Sequence, residues 1–220
     1  MYEKLKSSFP EIEDLPLNRV PPEMTPYMVR QRFRKTRKGW PLVQIGPGVL
    51  TVNETEGYET WEKFRDSALY VLEKFHEAHP QKTGIVPQSF MLRYINALEF
   101  DFHKNDILHF LASKLKTNVG LNKNLFVVGV SSKMPGELIL RLAFPTGQPK
   151  GSVTIQFASG LKNDERALIW ELIVNSSLPE ITDLPVGGGK WLKDAHDVIE
   201  HWFLKLAEGE LLESFSRKPQ

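Results

Sequence analysis

The stretch ELILRLAFPTGQPKGSVTIQFASGLKNDERALIWELIVNSS (137–177) decides how this chain folds. Leu138, Leu140, Leu142 and Phe144 fall on one face of an extended chain. Val153, Ile155 and Phe157 repeat that alternation, the period of a β-strand. Thr146-Gly147 and Asn163-Asp164 sit where the chain must reverse, and Pro135-Gly136 precedes the first run. Strands are predicted over 137–144, 152–158 and 168–175, with a fourth ahead of them over 125–131. A Pro- and Gly-rich loop (178–189) then leads into a long final helix. Trp191, Ala195, Val198, Ile199, Trp202, Phe203 and Leu206 form its apolar stripe. Gly209 interrupts it before a tail carrying Leu211, Leu212 and Phe215.

Upstream the same signals recur. Residues 1–29 are rich in proline and acids and read as a short helix near 2–9 followed by an extended arm. Residues 29–35 alternate around Phe33, a basic turn TRKG (36–39) follows, and strand continues through 41–45. Gly46-Pro47-Gly48 makes a turn before strand resumes at 49–53. Helical spacing of Trp61, Phe64, Ala68, Val71, Leu72 and Phe75 predicts a helix over 58–78, capped by Thr60 or Thr55. Residues 89–101 read as a strand with apolar side chains on both faces, which suggests a central position. Asp106 is placed to cap a second helix running to Lys116. The order β-β-β-α-β-α then β-β-β-β-α predicts an α+β fold, with two mostly antiparallel sheet-plus-helix halves packed together. The expected divisions are a Pro-rich arm (1–29), a first half (30–118) and a second half (119–220).

Composition narrows the function classes. Of 220 residues, 41% are hydrophobic and 25% charged, an ordinary globular mixture. The net charge of +1 gives no global field for nucleic acid or anionic membrane, so a charged partner must be caught locally. The absence of cysteine excludes disulfides, thiolate zinc sites and a cysteine nucleophile. No apolar run reaches the ~20 residues that span a bilayer, and the start lacks the pattern of a signal peptide. The expectation is a cytoplasmic protein with no membrane partner.

Three segments in order carry a resemblance. VQIGPGVLTVN (43–53), Trp61 and Phe64 on a helix, and LRYINAL (92–98), followed by the C-terminal AHDVI segment, resemble a sporadically distributed bacterial family of uncharacterised proteins. The resemblance spans roughly residues 30–215. Members of that family usually open with another apolar strand before the segment that begins this chain; either that strand is dispensable or the chain is a shortened version, which would leave a sheet edge exposed. The patchy distribution suggests toxin–antitoxin or phage-defence loci, an association without a mechanism.

Four groups of residues are candidate sites. Arg30, Arg32, Arg34, Lys35, Arg37 and Lys38, with Trp40, form the strongest local charge, a cation cluster with an aromatic neighbour that phosphate and base stacking could use. The plainer reading is a solvated strand face. Arg93, Asn96 and Glu99 lie in an apolar strand and read as a pocket wall or a structural polar network. His196, Asp197, Glu200 and His201 invite a metal reading, but the spacing of the two histidines is poor for a pair, and His196 flanks the apolar stripe. Gly187-Gly188-Gly189-Lys190 lacks P-loop spacing and reads as a flexible linker. Ser131, Ser159 and Ser176 sit in no nucleophile elbow. No catalytic grouping, metal or cofactor is expected.

Three functions remain, in order of preference. The first is a non-enzymatic binding or regulatory protein that holds a protein partner; self-association into a homo-oligomer is compatible with it. The second is a nucleic-acid-binding protein using the basic strand and turn. The third is an enzyme with a site at the junction of the two halves, around Arg93, Asn96 and Glu99.

Overall fold

The computed structural model describes residues 1–79, 85–179, 181 and 183–216. The protein is α+β, with two four-stranded antiparallel sheets and a long C-terminal helix. It forms two compact units, Met1–Pro87 with Ile181–Lys190, and Gln88–Glu180 with Trp191–Gln220.

The first unit contains α1 (Tyr2–Leu5), β1 (Glu11–Asp14), β2 (Gln31–Arg34), β3 (Leu42–Gly46), β4 (Val49–Asn53) and α2 (Trp61–Ala78). Its strands pair in chain order as a meander. The arm expected over 1–29 therefore supplies a strand, and two 3-10 turns (Pro16–Arg19, Pro22–Met24) carry the chain from β1 to β2. Prolines shape those turns because each fixes φ and removes a donor. Thr60, not Thr55, caps α2, its hydroxyl accepting from the Lys63 amide. Leu5, Phe9, Phe33, Val43 and Val71 form the core, and Tyr2 stacks on Phe33 at 6.3 Å. α1 is short yet well anchored because Leu5 is fully buried in that core.

Gly46-Pro47-Gly48 is a turn, as expected, and it is also a docking point. The Tyr27 amide donates to the Pro47 carbonyl at 2.7 Å and the Arg30 amide to the Ile45 carbonyl at 2.8 Å. These bonds hold the 27–30 backbone against the hairpin. A Cβ on Gly46 would lie 1.9 Å from the Met28 carbonyl oxygen, so no side chain fits. Gly48 adopts φ +72°, a left-handed conformation that glycine takes without strain.

The second unit contains β5 (Ser89–Glu99), α3 (Ile107–Lys114), β6 (Ile139–Gly147), β7 (Lys150–Lys162), β8 (Glu165–Ser177) and α5 (Glu210–Ser216). α4 (Leu184–Leu206) contributes its residues from Trp191 onward. The sheet order is β5-β8-β7-β6. Three of the four consecutive strands form as read. The fourth, over 125–131, does not: a 3-10 turn (Lys123–Phe126) occupies its start, and the chain bends through Gly129 at φ +74°. Strand-like side chains alone do not make a strand, and in the single chain this segment pairs with none.

β5 is an edge strand, not a central one. Its two-faced apolarity misleads because Met91 and Ile95 on the outer face are 62% and 58% exposed. The central strand is β8, where Ala167, Leu168, Trp170, Leu172 and Val174 are buried. β5 pairs with β8 along its whole length, from Ser89↔Ser177 to Glu99↔Ala167. The division expected at 118/119 therefore moves to 87/88, since β5 belongs to the second sheet. Asp106 caps α3, accepting from the Leu108 and His109 amides. The helix ends at Lys114 rather than Lys116, because Lys116 turns left-handed at φ +47°.

One face of this sheet is covered by α4. Trp191 stacks on Phe90 of β5 at 5.2 Å and donates from its indole to Ser176 of β8 at 2.8 Å. Tyr94 of β5 meets His196 at 3.0 Å, and Phe144 of β6 meets Trp202 at 5.6 Å. The glycine run 187–189, expected as a flexible linker, lies inside α4. Asp183 starts the helix before it, accepting from the Val186 amide at 3.1 Å. A Cβ on Gly187 would meet the Ile181 side chain at 2.6 Å, so packing accounts for that residue.

Candidate functional site

The basic strand is largely occupied by its own neighbours. Arg30 donates to the Thr25 hydroxyl at 2.9 Å and to the Val20 carbonyl, tying down the loop between β1 and β2. Arg32 and Arg34 lie opposite Glu13 and Glu11 in the β1–β2 register, and Arg32 pairs with Glu13 at 3.6 Å. Arg34 donates to the Gly39 carbonyl at 2.9 Å and covers the Trp40 ring at 5.6 Å. Such cross-strand pairs fix register. Three of the cluster's arginines are thus structural in their contacts, and Trp40 serves as a platform for one of them. Lys35, Arg37 and Lys38 are exposed at the turn and have no ion-pair partner among the described residues. The acids opposite this face come from the proline-rich arm. Its sequence signal, Glu-x-Glu alternation at Glu11 and Glu13, was readable only once the arm was known to pair.

The Arg93, Asn96 and Glu99 group is dispersed. Arg93 makes a two-pronged pair with Glu171 of β8, Nε to Oε2 at 2.9 Å and Nη2 to Oε1 at 2.5 Å, on the outer face of the sheet. The Glu171 side chain is only 10% exposed, against 47% for Arg93. Sequence reading missed Glu171, whose signal is one acid in the middle of the apolar run ALIWELIV. Glu99 is exposed at the end of the strand, six residues or roughly 20 Å from Arg93 along an extended chain. Asn96 points to the opposite, α4-covered face. These three side chains do not converge on one site.

Asn96 and Trp170 are cross-strand neighbours, and both are unusual. The Asn96 Nδ2 and the Trp170 Nε1 are shielded from solvent and find no acceptor. Each is a buried donor with nothing to receive it, which costs roughly 1–3 kcal/mol per group. Asn96→Leu is expected to raise stability by about 1 kcal/mol, or about 3 °C in Tm for a chain of this size. Urea and thermal unfolding followed by circular dichroism measure it. A loss of stability would instead show that the amide holds a bound water.

His196 is buried and packs against Tyr94, whose hydroxyl meets its Nδ1 at 3.0 Å; Glu200 stands 3.9 Å from Nε2. His201 is exposed on another part of the helix surface. No group of three or more His, Asp or Glu side chains among the described residues is placed to hold a metal ion. Two of the candidate serines are engaged in the framework: Ser159 accepts from the Leu138 amide at 2.8 Å, and Ser176 bridges Trp191 to the Lys150 carbonyl. A shallow groove of about 370 Å³ runs beside α4, lined by Gln148, Asp194, Asp197, Val198, His201 and Trp202. Asp194 accepts from Gln148 at 3.2 Å and Asp197 from Lys193 at 2.5 Å, so both carboxylates are engaged.

What the second unit does present is apolar surface. On the outer sheet face Met91 and Ile95 of β5, beside the Arg93–Glu171 pair, are 62% and 58% exposed, and Ile139 at the opposite edge, on β6, is 84% exposed. Leu121, Leu125, Val127, Val128 and Val130, in the irregular segment before β6, are exposed too. No helix among the described residues is long and apolar enough to cross a membrane. No protein-family profile, curated protein or solved structure matches this chain.

Proposed function

We propose that this chain is a non-enzymatic cytoplasmic protein that holds a protein partner against the outer face of the β5-β8-β7-β6 sheet. One observation carries the reading: large apolar side chains, Met91, Ile95 and Ile139, stand exposed on a face that has helix α4 only on its other side. Exposed apolar patches rimmed by polar groups mark protein or membrane interaction sites or ligand-binding grooves. The Arg93–Glu171 pair on this face supplies a directional polar contact of the kind that sets orientation. The pairing of Arg32 with Glu13 and the engagement of Arg34 by Gly39 and Trp40 argue against the phosphate-binding alternative, and the dispersal of Arg93, Asn96 and Glu99 argues against an enzymatic one.

A photo-reactive amino acid at position 95 or 139 tests this in the native host. The expected result is one covalent protein adduct shared by the two positions and absent when the probe replaces Asp66 on α2. Adducts to nucleic acid from a probe at position 37, with none at 95, would replace this reading with the basic-turn alternative.

A further inference from the structure

The free edge of β6 and the segment before it are complementary. β6 ends the sheet, and its ladder to β7 extends to Leu138, whose carbonyl accepts from the Ser159 amide at 2.9 Å. Antiparallel pairing alternates, so even-numbered residues of β6 bond to β7 while Ile139, Arg141 and Ala143 aim their amide and carbonyl groups outward. No backbone bond reaches those three among the described residues. Pro145 obeys the same parity, since its missing N–H falls on the open side, where proline is tolerated. The edge is apolar on both faces: Ile139 is 84% exposed on one, Leu142 and Phe144 are 41% and 45% exposed on the other.

Residues 125–131, LFVVGVS, have the matching character. In extended form Leu125 and Val127 would face one side, and Phe126, Val128 and Val130 the other, the two-sided apolarity of a strand buried on both faces. In the single chain this segment forms no strand, and Val127 and Val128 are 75% and 83% exposed. An unpaired edge and an unpaired strand-former within one molecule leave both exposed, although each could satisfy the other's kind in a neighbour.

We propose that residues 125–131 of one copy add as a fifth strand to the β6 edge of a second copy, and the exchange is reciprocal. Each copy brings one edge and one strand, so a two-fold dimer closes with nothing left over. The contact uses the β6 edge, where Ile139 also borders the sheet face assigned above to a different partner, so a probe at position 95 reports on that face alone.

The test uses the full chain in light scattering coupled to size exclusion, across a concentration series. Wild type is expected to give a dimer that dissociates on dilution. Val128→Pro disables the strand and Ala143→Pro removes an outward edge donor; the natural Pro145, two residues on, shows that this side of β6 accommodates proline. Each variant alone is expected to be monomeric with an unchanged circular dichroism spectrum. Mixed in equal amounts, they retain one intact strand–edge pair and are expected to recover a weaker dimer. Val128→Asp provides a second strand variant should the proline disturb folding. A wild type that is monomeric at every concentration overturns the proposal, as does a dimer that survives either substitution. Slow amide exchange at 139–143 in a monomer would also overturn it, since the chain would then cover its own edge.

Discussion

Trp170→Ala is expected to destabilise the second unit by about 4 kcal/mol, near the top of the range for emptying a core site. Trp170 is 1% exposed at the middle of β8, the most buried strand of its sheet. It lies between Phe157 of β7 and Asn96 of β5 in register, and Phe215 of α5 packs on it at 6.2 Å. Alanine would leave a hole bounded on two sides by hydrogen-bonded strands that cannot close in. Trp170→Phe separates volume from polarity. Phenylalanine keeps much of the contact and removes the indole donor that has no acceptor, so its cost should stay near ~1 kcal/mol. Denaturant unfolding distinguishes the two variants. Equal losses would mean that the indole N–H is satisfied in solution and that the ring edge, rather than its bulk, carries the stability.

Gly46→Ala is the second large effect, about 3 kcal/mol, and it arises from backbone rather than side-chain packing. The added Cβ would meet the Met28 carbonyl oxygen at 1.9 Å and its carbon at 2.8 Å. Relief requires breaking the Arg30–Ile45 or Tyr27–Pro47 backbone bond that holds the 27–30 segment to the hairpin. Arg30 would then lose its position against Val20 and Thr25, so the loop joining β1 to β2 should loosen with it. Amide exchange is the discriminating measurement. Faster exchange at Tyr27 and Arg30, with β7 and β8 unaffected, is the expected pattern. A thermal shift with unchanged exchange at those two amides would place the strain elsewhere.

Period and capping made most elements readable. β7, β8, α2 and α4 carry long regular patterns, and Thr60 and Asp106 mark helix starts with the side chains that accept the first free amides. The misread elements share a cause: their character depends on what lies across from them. Residues 125–131 have strand-forming side chains but no ladder in the single chain. β5 has apolar groups on two faces, yet position in the sheet leaves one face open. Glycines 187–189 resemble a linker until Asp183 and Ile181 show the helix already begun. The candidate sites were legible only as lists of residue types. That Arg93 meets Glu171 across 78 positions of chain, and that Asn96 faces away from both, is set by strand pairing that local pattern does not encode.

The two glutamates of β1 also set the local charge beside the basic turn. All four residues of β1 are exposed, and the strand borders nothing but β2. The formal net charge of +1 conceals Arg32, whose ion-pair partner Glu13 sits on that small peripheral element, and Arg34, which lies opposite Glu11 in register. Losing the Glu13 carboxylate would leave Arg32 without its ion pair, beside the exposed Lys35, Arg37 and Lys38, and so raise the local positive charge. The +1 of the whole chain is thus a balance between unlike neighbours, and the first unit carries a basic turn whose field β1 moderates.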